Sequence, residues 1–394
     1  MKRLKYGLLK FADVTALTFL DPAIRLAFGE EPAVQARRLV HLVVVPVVAF
    51  AAFCGLWWIV ARGITTKSGN VPTPAVVWST AGEMWQSHLA ARRREADFYA
   101  TRDGRVAELT ARRAGLVTPE YAATVAGLEA DIARLEPTGS RRVPGKRAVL
   151  ESLLSQGQTL DRQIAEAATS RYAGAPTYVD QIVTSLQTVF FGFAIATLIA
   201  VPLGILCGVS PTFNSALTPL ISLFRPVSPI VWLPICGIIV GAYVDADDGY
   251  LRPAFISSAI TVAVCSLWPT LVNTALGVAS VEKDHLNVAR VLRLGFWTRL
   301  TKIIIPSALP LIFTGLRISL GVGWMVLIAA ELLATNPGLG KFVWDTFQNG
   351  SSQSFAQMFV SVFTVGLIGL LLDRVMIVFQ RAVTFDVGST AAAL

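Results

Sequence analysis

Charged positions along this chain are gathered into blocks that leave long apolar runs between them. Residues 39–61 carry no Asp, Glu, Lys or Arg over 23 positions, residues 181–224 none over 44, and residues 253–281 none over 29. A helix of about 20 apolar residues crosses a bilayer core, so these runs predict transmembrane helices. The 44-residue run holds two, because Ser210-Pro211-Thr212-Phe213-Asn214-Ser215 is a turn signal inside it. One helix is expected to end near Gly208 and the next to start near Leu217. That second helix meets Arg225, Pro226, Pro229 and Pro234 before Tyr243, which predicts a kinked or broken span. Spans over about 309–333 and 355–379 bring the total to about six. The predicted fold class is an all-α polytopic membrane protein.

Between the first two spans the pattern changes. Residues 92–171 hold 14 basic and 11 acidic side chains, 25 of the 60 in the 394-residue chain. Residues 84–173 read as a helical insert. Tyr121, Val125, Leu128, Ile132 and Leu135 follow a seven-residue repeat behind a Thr118-Pro119 start signal. Weaker stripes precede it (Tyr99, Val106, Leu109, Leu116) and follow it (Leu150, Leu153, Leu160, Ile164, Ala167). Single apolar seams must pack on one another, so the insert is expected to form an antiparallel hairpin with room for a third helix. It reads as a docking or gating appendage, or as a tolerated insertion without chemistry. Residues 1–38 are too short and too interrupted, by Asp13 and Asp21-Pro22, to span, and are expected to lie on the cytoplasmic face.

Composition sharpens this picture. Hydrophobic residues are 54% and charged residues 15% of the chain. Soluble domains run near 25% charged, so a soluble enzyme and a disordered chain are both disfavoured. The net charge of +8 comes from cations flanking apolar runs, with no aromatic-interleaved stripe, so nucleic acid is not an expected partner and the lipid bilayer is. Loop charge sets orientation. The 282–308 loop and the N-terminal segment are basic and 245–252 is acidic, which predicts cytoplasmic termini and an extracytoplasmic insert. Cys54, Cys207, Cys236 and Cys265 sit inside apolar runs without ligand spacing, and the three histidines are scattered, so no metal site is expected. No GxxxxGK[ST], GxSxG or HExxH occurs; Gly338-Leu339-Gly340-Lys341 is the nearest fragment and lacks the spacing of a phosphate cradle. No catalytic residue and no cofactor on this chain are expected.

The 282–308 loop is the informative cytoplasmic piece. Asn287–Leu294 reads as a helix that Gly295 ends. A second short helix follows from Trp297 to Ile305, with Trp297, Leu300, Ile303 and Ile304 on its apolar face, and Pro306 stops it. Such a knob fits a groove in another protein or lies on lipid headgroups. It resembles the EAA loop of binding-protein-dependent ABC importer permeases, in which EAA is followed by three residues, Gly, nine residues and I-x-LP. Ile303-Ile304-Ile305-Pro306 matches the end. Counting back puts Asn287-Val288-Ala289 on EAA and Arg293 on the glycine, with Gly295 two residues late. Val288-Ala289-Arg290-Val291-Leu292-Arg293-Leu294, Phe313-Thr314-Gly315-Leu316-Arg317-Ile318, Ala329-Ala330-Glu331 and Gly369-Leu370-Leu371-Leu372-Asp373-Arg374 resemble the nitrate/sulfonate/bicarbonate branch. Arg225-Pro226-Val227-Ser228-Pro229 and Trp268-Pro269-Thr270-Leu271-Val272-Asn273-Thr274 add to this. Within that branch the similarity is nearest to the nitrate permease subunit and its bicarbonate relative.

The resemblance implies a type I transmembrane domain over 177–385, joined by the first span at 39–62. It implies a multi-pass subunit of the bacterial inner membrane, paired with a second permease, for which a second copy of this chain is the expectation. Cytoplasmic ATPase subunits would bind ATP and magnesium and dock on the loop, and a periplasmic binding protein would deliver the solute. Asn287, Val288, Ala289, Arg290, Arg293, Gly295, Ile303 and Pro306 are the coupling candidates, with Ala289 set against a partner. Arg290, Arg293 and Arg299 either pair with acidic groups on the ATPase or are flanking positive charge. An anion path needs positive potential and hydrogen-bond donors, which makes Arg225, Trp268, Asn273, Thr314, Arg317 and Trp324 candidates. Arg317 either lines the path or snorkels to headgroups, and the others pack helices if they do not line it. Glu331 would repel an anion and reads as a structural or gating group, and Asp373 and Arg374 as inner anchors of the last span. The implied solute is a small oxyanion: nitrate, with nitrite or cyanate beside it. Bicarbonate or sulfonate/taurine is the alternative, and an ATP-independent transporter, a channel or a membrane scaffold is the rival from another class.

Overall fold

The computed structural model describes residues 20–66, 69–138, 140–244, 252–334 and 336–383. The first half of the N-terminal segment and most of the acidic 245–252 loop therefore lie outside the described residues. Two compact units emerge: 85–177, and the rest of the chain.

The larger unit is helical. A short helix α1 (Leu20–Ala27) precedes α2 (Pro32–Gly63), a 32-residue helix that starts seven residues before the charge-free run. A two-rung antiparallel ladder, Thr65–Thr66 with Gly69–Asn70, follows. Next, α3 (Pro74–Leu116) runs from this unit into the smaller one. Beyond α4 (Pro119–Leu135) and α5 (Val143–Thr169), which belong to the insert, come α6 (Tyr178–Val209), α7 (Pro211–Phe224), α8 (Pro229–Tyr243), α9 (Pro253–Ala279) and α10 (Lys283–Val291). The chain closes with α11 (Phe296–Ala334), α12 (Leu339–Asn349) and α13 (Ser352–Val383). Helices α2, α6, α9, α11 and α13 are long and apolar enough to cross a membrane. The pair α7 and α8 is long and apolar enough only when taken together and is bent by 103°, at the break where three prolines are expected to interrupt a helix. Ser210 and Ser228 cap the two halves, accepting from the Phe213 and Ile230 amides at 3.3 and 3.4 Å.

The core is a close bundle of α6, α9 and α11. Small residues recur every fourth position on α6: Gly192, Ala196, Ala200, Gly204 and Gly208, with both alanines buried. A Cβ at Gly192 would lie 2.5 Å from the Ala259 carbonyl oxygen, and one at Gly208 would lie 2.4 Å from the Val278 Cβ. This is the small-residue packing by which membrane helices approach closely when no hydrophobic effect draws them together. Val189, Val262, Leu320, Trp324, Leu327, Leu339, Leu372 and Met376 bury a second layer that brings α12 and α13 onto the bundle. Pro269 cannot donate within α9. One turn is re-satisfied across helices: the Ser319 hydroxyl oxygen accepts from the Thr270 amide at 3.0 Å and from the Thr270 hydroxyl at 2.7 Å.

Two π turns stand just before prolines: Val40–Val44 ahead of Pro46, and Leu300–Ile304 ahead of Pro306. A proline removes one helical donor and crowds the carbonyl four residues back, and a widened turn absorbs both.

The smaller unit contains the distal part of α3 with α4 (Pro119–Leu135) and α5 (Val143–Thr169). Thr118 caps α4, accepting from the Tyr121 amide at 3.2 Å. Tyr121 donates its hydroxyl to the Leu153 carbonyl at 2.9 Å, joining α4 to α5. Arg113 forks onto Asp161 at 2.8 and 3.1 Å, and Lys146 pairs with Asp131. The hydrogen bonds and charge of Arg113 hold the Asp161 carboxyl below its ordinary range. Its folded value is therefore depressed, so this pair contributes stability above the ordinary carboxylate pKa of about 3.9, and the contribution is lost as pH falls through the lowered value. Asp161→Asn is expected to speed amide exchange in α5 at pH 7, with the difference from wild type shrinking as pH is lowered through the acid range, as hydrogen exchange on the full chain would measure.

Candidate coupling loop and an intramembrane polar set

The loop between α9 and α11 folds from its apolar positions inward. Leu300, Ile304 and Ala308 are buried against Val278 and Val281, with Leu286 beside them. Ala289 is only 1% exposed and is covered by its own chain, so its expected place against a partner is corrected: it seats α10. What α10 leaves outside is Val288, Val291 and Leu292, with Val291 81% exposed. With Asp284 and Asn287 they line a shallow groove of about 390 Å³. Trp297 and Phe296 are also exposed and meet edge to face at 5.5 Å, so Trp297 does not share a face with Leu300 and Ile304. Ile303 is half-buried between them.

The helix stop also differs from expectation. Gly295 has φ −63° and caps the start of α11, whereas Arg293 carries φ +51° and ends α10. The Leu294 amide reaches back to the Ala289 carbonyl and the Arg293 amide to Arg290, both at 3.0 Å, closing the helix around that left-handed residue. This is the position where the resemblance places a glycine. A non-glycine residue there costs roughly 1 kcal/mol. Arg293→Gly is expected to stabilise the loop by up to that amount, and Gly295→Ala, whose Cβ meets nothing within 4 Å, to be tolerated. Thermal unfolding of the two variants in detergent checks both. Pro306 does not stop the second helix, because the π turn carries it through into the span. Arg290 donates to its neighbour Asn287 at 3.1 Å, and both stay exposed with Arg293.

The intramembrane candidates separate into two groups. Arg317 on α11 forks onto Asp373 of α13, Nε at 2.5 Å and Nη2 at 2.9 Å, with side chains 41% and 38% exposed. Asp373 is thus its ion-pair partner, a contact that ties α11 to α13. Thr314 donates back to the Pro310 carbonyl at 2.8 Å. Asn273 likewise donates to the Pro269 carbonyl at 2.8 Å. Trp324 is buried and donates to the Val365 carbonyl at 3.0 Å, so it ties α11 to α13.

Glu331 is fully buried. Its two oxygens accept from the Ser185 hydroxyl at 2.8 Å, and Oε2 accepts the Gly340 amide at 3.0 Å. The Ser185 oxygen in turn accepts the Leu339 amide at 2.9 Å. Gly338 and Gly340 let the backbone close on the carboxylate: a Cβ on Gly338 would fall 2.1 Å from Oε1, and one on Gly340 would fall 2.2 Å from the Ile328 carbonyl oxygen. The start of α12 thus holds a carboxylate of its own chain. The remaining candidates gather at the break. Phe224 stacks on Trp268 at 6.4 Å and packs on Trp232 at 5.8 Å, and both indole N–H groups are buried without a hydrogen-bond partner among the described residues. Arg225 follows Phe224 and is exposed.

Residues 200–385 match the family described as binding-protein-dependent transport system inner membrane component. The nitrate import permease protein NrtB of Synechococcus elongatus is 35% identical over 204 residues, 52% of this chain and 69% of that protein. This chain belongs to that family. The permease is also 38% identical to NrtB of Leptolyngbya laminosa over 49% of the chain and 64% of that protein. It is 39% identical to the bicarbonate transport system permease protein CmpB of Synechococcus elongatus, over 51% and 68%. The permease thus spans about two thirds of the length of these relatives. Among solved structures, the inward-facing MetNI methionine ABC transporter aligns with TM-score 0.46 and 16% identity over 52% of this chain and 96% of that one. The chain is a multi-pass integral membrane permease. Sequence reasoning did not find Ser185, Asp373 or Gly338 as partners. The available signal was chemical: a buried carboxylate and a membrane-depth guanidinium each require a partner.

Proposed function

We propose that this permease forms the transmembrane path of an ATP-driven importer for a small oxyanion, with nitrate first and bicarbonate second. The names of the relatives support both solutes, and neither is favoured by the geometry over the other. The observation that carries the importer reading is the coupling loop. The permease presents Val288, Val291 and Leu292 outward on a helix seated through Ala289, a face that water leaves unpaired and a partner would cover. In this reading cytoplasmic ATPase subunits dock there, a second permease copy completes the path, and a periplasmic binding protein delivers the anion.

The test is reconstitution with the partner ATPase, measuring ATP hydrolysis and uptake for nitrate, bicarbonate and taurine, each with its binding protein. ATP-dependent uptake of nitrate is the expected result. Uptake without ATP would support a channel or secondary transporter instead. Val291→Asp is expected to lower recovery of ATPase subunits by about tenfold or more, because a charge would be placed unpaired in the contact. Unchanged recovery would move the docking surface elsewhere.

A further inference from the structure

The first half of the broken span carries polar residues that nothing in the fold absorbs. Asn214, Thr218, Ser222 and Arg225 are spaced four, four and three apart on α7 and its C-cap, which puts them on one face of the helix. Leu220 and Leu223 lie on the other side, both exposed, with Leu223 at 62%. The Thr218 hydroxyl donates to the Asn214 carbonyl at 2.7 Å. The side chains of Asn214, Ser222 and Arg225 have no hydrogen-bond or ion-pair partner among the described residues. An amide, a hydroxyl and a guanidinium left unpaired toward lipid tails are each strongly unfavourable. Water, a solute or another subunit must therefore meet this face.

The face opens on a cleft. About 320 Å³ lies between α7 and α9, with Asn214, Thr218 and Ser222 on one wall and Leu271, Val272 and Ala275 on the other. The cleft begins at the end of the bundle that carries the coupling loop, where Val209 and Val278 pack with Leu300. From Asn214 to Arg225 the helix rises about 17 Å. At the top, the break leaves Arg225 beside Phe224, whose ring packs on the indole rings of Trp232 and Trp268.

Resting on the anion-import reading above, we propose that this face of α7 lines the anion path, with Arg225 as its cation and Asn214 and Ser222 as donors that relay a nitrate-sized oxyanion along the cleft. The chemistry fits. Neutral donors stabilise an anion without holding it, and a single unpaired cation supplies the attraction. Arg317, by contrast, is already paired with Asp373.

The experiment uses the assembled transporter in proteoliposomes, with Cys54, Cys207, Cys236 and Cys265 replaced by alanine and retained nitrate uptake first established. Ser222→Cys is expected to react with a sulfonate-bearing methanethiosulfonate at least about tenfold faster than Leu223→Cys, a factor within the gap between watered and lipid-facing thiols, and saturating nitrate is expected to slow it. Arg225→Gln should lower nitrate uptake per assembled complex at least about tenfold, the effect of losing a fixed charge that a neutral donor does not replace, while Arg225→Lys retains more. Assembly with the ATPase is measured for each variant so that misfolding is separated from loss of path. An unreactive Ser222→Cys places the face in a subunit contact or in lipid and overturns the proposal. A reactive Ser222→Cys with unchanged uptake in Arg225→Gln overturns it as well. If the wild-type assembly takes up neither nitrate nor bicarbonate, the import reading fails, and thiol accessibility still decides whether the face is watered.

Discussion

Replacing Glu331 by alanine is expected to cost roughly 3–5 kcal/mol of stability and to lower the recovery of folded protein sharply. The Gly340 amide and the Ser185 hydroxyl would each lose their acceptor in a fully buried site, at about 1–3 kcal/mol for each unsatisfied group. The space left behind adds a cavity term. Glu331→Gln should cost far less. Its amide oxygen still accepts from Gly340, and its NH₂ faces the Ser185 oxygen, which has acceptor capacity beyond the Leu339 amide. Thermal unfolding of both variants in one detergent separates the cases. If alanine were as mild as glutamine, the carboxylate would not be what holds α12 to the bundle.

The second large effect concerns the waist of the bundle. Gly204→Leu is expected to destabilise by ~3 kcal/mol or more, at or beyond the upper end for overpacked cores. Even the first carbon of the new side chain would fall 2.6 Å from the Thr274 Cβ and 2.8 Å from the Leu271 carbonyl oxygen. The carbonyl belongs to a helix backbone, so it moves only if α9 moves. A helix-interior glycine in open space behaves oppositely: Gly127→Ala on α4 should be neutral or gain up to about 1 kcal/mol. Expression and thermal stability of the two variants give the comparison, and a tolerated leucine at 204 would mean that α6 and α9 are not in contact there.

The spans were legible because a bilayer demands length and the absence of charge, and both are written locally. The break between α7 and α8 was legible for a similar reason, since three prolines and an arginine within ten residues leave a helix no continuous ladder. Distance in sequence hid the rest. Arg317 meets Asp373 across 56 residues, and Ser185 meets Glu331 across 146, and no local pattern encodes such a meeting. The small-residue stripe on α6 was local but invisible to a count of apolar residues, which scores Gly204 and Ala200 without regard to size. The loop misled differently. Glycine is the usual left-handed residue, so Gly295 drew the helix stop, while the bonds to the Ala289 and Arg290 carbonyls placed it on Arg293. The 43-residue length of α3 was missed because its stripe is weak and Gly104 interrupts it.

One consequence belongs to the helix that begins in the 282–308 loop. As a single piece from Phe296 to Ala334, α11 extends about 58 Å. At Gly315 it meets α9 tightly: a Cβ would come 2.8 Å from Asn273, 3.0 Å from the Thr270 backbone and 3.1 Å from the Pro269 carbonyl oxygen. Gly315 stands 19 residues from either end. A beam gripped at its midpoint has arms of equal length. A rigid tilt about that point would carry the Phe296 and Ala334 ends through equal distances in opposite directions.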